Sequence, residues 1–90
     1  MKFQPGQVVA TRNAVELMKV QGIHPLHLLL RHLNGDDGDL EADDKAMNAA
    51  AIASGEDRVF SAYKLPSGDR LWIITEWDRS LTTILLPDDY

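Results

Sequence analysis

The sequence predicts an α+β domain, about three helices packed on one face of a three- to four-stranded antiparallel sheet that ends in a C-terminal β-meander. Three observations carry this reading. Apolar residues keep a helical spacing up to about position 54 and a spacing of two after it. The last third concentrates β-branched and aromatic residues in three runs, 59–65, 70–76 and 81–86. Pro66-Ser67-Gly68-Asp69 and Trp77-Asp78-Arg79-Ser80 separate those runs with turn chemistry. The 90 residues carry no internal repeat or linker, so they read as a single domain, 1–90.

In chain order, Gln7-Val8-Val9-Ala10 reads as a short strand or extended lead-in. Thr11, Arg12 and Asn13 offer N-cap chemistry for a helix over about 12–21, and Gly22 suits its left-handed C-terminal position. Val15, Met18 and Gly22 fall on one face of it. Pro25 fits the first turn of a second helix, whose Leu26, Leu29, Leu30 and Leu33 form a core stripe, with His27, Arg31 and Asn34 opposite. Asp39 is the best N-cap for a third helix over about 40–54, with Met47, Ala50, Ala51 and Ser54 as its apolar face. Acids at Glu41, Asp43 and Asp44 suit its positive end.

Counting both turns as four-residue loops pairs Leu65 with Arg70 and Glu76 with Leu81. Phe60, Ala62, Leu71, Ile73, Ile84 and Leu86 then share one face, the side the helices should cover. Tyr63, Trp72 and Leu85 stand together on the other.

A net charge of −5 argues against a general nucleic-acid binder, and nucleic acid is not an expected partner. The longest apolar run, Leu28-Leu29-Leu30, is far too short to span a membrane, and the N-terminus lacks a signal-peptide pattern. A cytoplasmic location is therefore expected. No cysteine is available for disulfides or thiolate metal sites, and no glycine-rich phosphate loop or nucleophile elbow appears. No cofactor is expected.

His24, His27 and His32 miss the i, i+4 spacing of a helical metal pair, and capping or surface roles are the better reading. The acidic run from Asp36 to Asp44 matches no calcium-loop register, so no metal is expected there either. Around the second turn, Glu76 as base and Arg79 as phosphate clamp, with Ser61 and Thr83 nearby, would suit phosphoryl transfer. The alternative gives Asp78 to the turn, Arg79 to its tip and the threonines to ordinary strand positions. That alternative is preferred.

Several segments carry a family resemblance: Gly22-Ile23-His24-Pro25, Arg31-His32-Leu33-Asn34-Gly35-Asp36, Ser61-Ala62-Tyr63, and above all Trp72 through Tyr90. The chain resembles a family of short bacterial proteins carried by plasmids, prophages and integrated elements, labelled plasmid-related proteins. That family has Gly-Asp-Trp-Gly where this chain has Gly35-Asp36-Asp37-Gly38. The resemblance implies a mobile-element accessory protein and assigns no catalytic residue. The layout of helices followed by a meander is also similar to that of barnase-like and RelE-like ribonucleases.

The expected function is a non-enzymatic interaction module of a mobile element, acting on host machinery. Its contact residues would be Tyr63, Trp72, Leu85, Asp78 and Arg79, and its partner a protein or a second copy. The alternatives are a small nuclease using Glu76, Arg79, Ser61 and Thr83, or a structural homodimer.

Overall fold

In the computed structural model, which describes Met1–Tyr90, the chain runs β1 (Gln7–Ala10), α1 (Arg12–Gln21), α2 (Pro25–Leu33), α3 (Ala42–Ser54), β2 (Val59–Lys64), β3 (Arg70–Thr75) and β4 (Leu81–Leu85). A 3-10 turn at Pro87–Asp89 follows. The class is α+β as expected, but the sheet is mixed. Its order is β1-β4-β3-β2, with β1 parallel to β4 and the other two pairs antiparallel. Parallel neighbours need a long connection, and all three helices and a hairpin lie between these two.

The β3–β4 loop has the expected length, so Trp72 faces Leu85 and Thr75 faces Thr82. The β2–β3 loop does not. Gly68 adopts φ 93°, and the Leu65 N–H donates to the Asp69 carbonyl at 2.8 Å. Pro66-Ser67-Gly68 is thus a three-residue loop with glycine at the left-handed position, a geometry that leaves Asp69 in the ladder. Lys64 therefore pairs with Arg70 and Tyr63 with Leu71. Slipping by one residue exchanges the faces of β2. Val59, Ser61 and Tyr63 enter the core, while Phe60 and Ala62 move to the opposite side.

The core joins Ala14 and Met18 of α1 and Leu28 of α2 to Tyr63, Leu65, Leu71, Ile73 and Ile84. Thr11 caps α1 by accepting from the Ala14 N–H, and Gly22 ends it in the left-handed region. His24 Nδ1 caps α2 by accepting from Leu26 N–H. The expected leucine stripe of α2 is rotated: Leu28, His32 and Leu33 are buried, whereas Leu26 and Leu30 are exposed. On α1, Val15 is likewise exposed, and Ala14 takes the inward position beside Met18.

Helix α3 starts at Ala42 behind Glu41, which makes no side-chain cap. Asp39 is used elsewhere: its carboxylate accepts from the Lys64 N–H at 2.8 Å. Its own N–H donates to the Ala62 carbonyl, and the Ala62 N–H donates to the Asp37 carbonyl. A Cβ on Gly38 would collide with that Ala62 carbonyl, so glycine is required for this approach. Asn48 of α3 completes the arrangement. Its Oδ1 accepts from the Phe60 N–H at 3.0 Å, and its Nδ2 donates to the Phe60 carbonyl. The outward N–H and C=O of Phe60 and Ala62 and the outward N–H of Lys64 are thereby paired, which seals that edge of the sheet. Met47, placed on the apolar face by its spacing, points to solvent instead, because Asn48 and Ala51 are the buried positions of α3.

Two substitutions test this packing. Ile73 is fully buried, so Ile73→Asp should cost more than about 4 kcal/mol and abolish the cooperative thermal transition. Asn48→Ala leaves both backbone groups of Phe60 without their partner. It should lower stability by about 1–3 kcal/mol in chemical denaturation; an unchanged midpoint would show that the edge is not held by this side chain.

Candidate functional site

Beneath the helices lies a chain of buried hydrogen bonds that sequence spacing did not reveal. His32 Nδ1 is 2.6 Å from Ser61 Oγ, and Nε2 is 2.9 Å from Thr75 Oγ1. Thr75 Oγ1 is 2.7 Å from Thr82 Oγ1, which donates to the Pro5 carbonyl at 2.7 Å. A carbonyl only accepts, and this sets every proton in the series. Thr82 donates to Pro5, Thr75 to Thr82, and His32 Nε2–H to Thr75. The bare Nδ1 then accepts from the Ser61 hydroxyl. The histidine is neutral, and burial pushes its pKa down to about 4 despite the nearby Asp37 charge.

A serine hydroxyl donating to a histidine is the start of nucleophile activation. Here Ser61, Thr75, Thr82 and His32 are all buried, and the Phe3 ring closes over the imidazole edge-on with centroids 5.2 Å apart. None of the surface grooves is lined by His32 or Ser61. The arrangement holds structure together and has no room for a substrate.

The residues proposed for phosphoryl transfer are dispersed. Ser61 belongs to this buried chain, and Thr83 stands on the opposite face of the sheet. Arg79 adopts φ 61°, uncommon for a residue with a side chain. Its guanidinium donates to the carbonyls of Ala51 at 3.0 Å, Asp57 at 2.6 Å and Trp77 at 3.0 Å, and reaches Glu76 only through its backbone carbonyl. Arg79 pins the β3–β4 turn to the end of α3. Asp78 accepts from the Ser80 hydroxyl and N–H, which holds its carboxyl below the usual range, as the turn reading expected. No group of three or more metal-ligating side chains is present.

Of the expected contact patch, Trp72 and Leu85 are neighbours, but Leu85 is buried and cannot meet a partner, and Tyr63 is not beside them. The one-residue slip turns Tyr63 into the core, where its hydroxyl donates to the Asp36 carbonyl at 2.5 Å. Burial pushes that phenol up to about 12, and the Arg31 guanidinium, itself paired with Asp36, lies 4.7 Å from the ring centroid. Phe60 replaces it beside Trp72. The two rings meet edge-to-face with centroids 5.0 Å apart, and Tyr90 meets Trp72 at 5.8 Å from the other side. Arg58 donates to the Tyr90 hydroxyl at 3.0 Å and lies over Phe60.

This aromatic row lies on the side of the sheet turned away from α1 and α2, whose buried residues pack on the Ile73 side. Phe60 and Trp72 are half-buried, and Tyr90 is 73% exposed. Lys64 and Arg70 stand directly opposite each other at one end of this face, both exposed and in no ion pair. Like charges so placed oppose strand pairing and favour an anionic group from outside. Fold and site together define a small helix-backed mixed sheet whose far face carries this aromatic row over the buried Ala62, Ile74 and Leu85. No protein-family model, curated protein or solved structure matches the chain.

The buried histidine makes stability depend on pH. Its folded pKa lies below the ordinary 6.5, so its contribution is complete above that pH and lost as pH falls through about 4. The loss amounts to about 3 kcal/mol. The depressed Asp36 and Asp89 carboxyls act only at more acidic pH. Chemical denaturation across this window should show the loss in the wild type and not in His32→Gln; equal losses would remove His32 as the cause.

Proposed function

We propose that the protein is a non-enzymatic interaction module that docks a protein partner at the aromatic row around Trp72, on the sheet face opposite α1 and α2. The carrying observation is the Phe60–Trp72–Tyr90 row, standing on a side of the sheet that α1 and α2 do not cover. Exposed aromatic surface with a charged rim is what binding interfaces present. Lys64 and Arg70 would receive an acidic group of the partner at the rim. The edge-to-face packing leaves the rings gripping one another rather than lying flat for bases to stack on, which favours polypeptide over nucleic acid.

The dispersal of Ser61, Thr83, Glu76 and Arg79 supports a binding role over phosphoryl transfer. A role for the module in a mobile element, acting on host machinery, accords with the resemblance to the plasmid-related proteins.

Capture from a host lysate tests the proposal. A partner should be retained by the wild type and by Val20→Ser, a surface control on α1, and lost at least tenfold with Trp72→Ser. Equal retention by all three would reject the face. Nucleic-acid cleavage by the purified protein that vanishes in folded Glu76→Gln would replace docking with phosphoryl transfer.

A further inference from the structure

The two edges of the sheet are treated in opposite ways. The β2 edge is sealed by Asn48, by the Asp37 and Asp39 backbone and by the Asp39 carboxylate. The β1 edge carries nothing. All four residues of β1 are exposed, and β4 is its only strand partner. The Gln7 N–H donates to Ser80 and the Thr11 N–H to Ile84, so the odd-numbered residues face β4. In a parallel pair the alternate residues point away, which leaves the N–H and C=O groups of Val8 and Ala10 directed outward and unpaired.

We infer that β1 is a dimerisation edge: Gln7–Ala10 pairs antiparallel with the same strand of a second copy. The observations that select a second copy are parity and charge. The outward residues Val8 and Ala10 are symmetric about Val9. A two-fold axis beside Val9 sets Val8 against Ala10 of the other copy, and the reverse, so that both pairs exchange two hydrogen bonds. In such an isologous contact the residue on the axis meets its own copy and its neighbours lie near theirs, so a charge there would face its like. From Phe3 to Thr11 the chain has no charged residue, although its net charge is −5. Val8 and Val9 are 41% and 37% exposed on opposite faces of the strand, and each would gain apolar cover across the seam.

The axis runs perpendicular to the sheet. The two four-stranded sheets become one, with both Trp72 faces on the same side and away from the seam. Two short strands bury much less than the roughly 1,200 Å² of a standard stable interface, so the association is weak and concentration-dependent.

Sedimentation equilibrium over the micromolar-to-millimolar range should show a monomer–dimer equilibrium for the wild type. Val8→Pro removes one outward N–H and leaves the ladder to β4 intact; it should weaken dimerisation at least tenfold with an unchanged circular-dichroism spectrum. Val9→Lys sets two ammonium groups against each other and should do the same, with high salt partly restoring the dimer. Trp72→Ser should dimerise like the wild type. Hydrogen exchange on the unmodified protein provides a check without substitutions: protection of the Val8 and Ala10 amides must rise with concentration. A wild type that stays monomeric, concentration-independent exchange at these amides, or a dimer lost with Trp72→Ser and kept by Val8→Pro would overturn the assignment.

Discussion

The hydrogen-bond series through His32 ties together parts of the chain that have no other reason to share one arrangement. It links α2, β2, β3, β4 and the segment before β1 through five polar groups, and the Pro5 carbonyl gives all of them one direction. Each hydroxyl in the series would be costly to bury alone. Together they are satisfied, and no buried side-chain nitrogen or oxygen is left without a partner. The series demands that Ser61, Thr75 and Thr82 face the same side, which only the observed register allows. It also rotates α2 until His32 points inward, and Leu26 and Leu30 are exposed as a consequence. The N-terminal segment lies over it, held by Lys2 N–H to the Leu33 carbonyl at 2.8 Å and by Phe3 against the imidazole.

The acidic segment has a similarly structural part. Asp36 pairs with Arg31 at 2.6 Å and Asp37 with Lys45 at 2.7 Å. Both pairs are solvent-accessible, and pairs of this kind contribute little by themselves. Their effect is to hold the loop against β2, where its backbone and Asp39 occupy the hydrogen-bonding positions that another strand would take. Asp37 of this loop accepts from both Lys45 and Asn48.

Arg79 shows how a residue suited to catalysis can serve architecture. A guanidinium surrounded by carbonyls stabilises a turn residue in an uncommon conformation and joins two elements, and it is unavailable to clamp a phosphate. With Ser61 buried as well, the polar groups of this half are largely committed to the fold. What remains on the far face is the aromatic row, with Tyr90 exposed and Phe60 and Trp72 half-buried, and its basic rim. The hydroxyl-rich sequence around the second turn therefore reads as chemistry, whereas in three dimensions its groups serve the fold, and Phe60, Trp72 and Tyr90 form a row on the face opposite α1 and α2.

Local signals determined much of the fold from sequence alone. Thr11, Gly22 and Pro25 act within a single turn of backbone, so α1 and the start of α2 were legible, as were the three C-terminal strands and the four-residue β3–β4 loop. Tertiary structure decided the rest, because it depends on pairings between distant residues. Lengths alone do not tell whether Pro66-Ser67-Gly68 closes a three-residue loop or shares a longer one with Asp69, and that single choice exchanges Tyr63 for Phe60 on the face that carries Trp72. Leucine spacing does not tell that a histidine will displace two leucines from the core, since its burial is tolerable only when Ser61 and Thr75 arrive to satisfy both nitrogens. Nor does a sequence show that Asp39 and Asn48 will close one edge while β1 stays open, because an edge exists only once the strands have found their order.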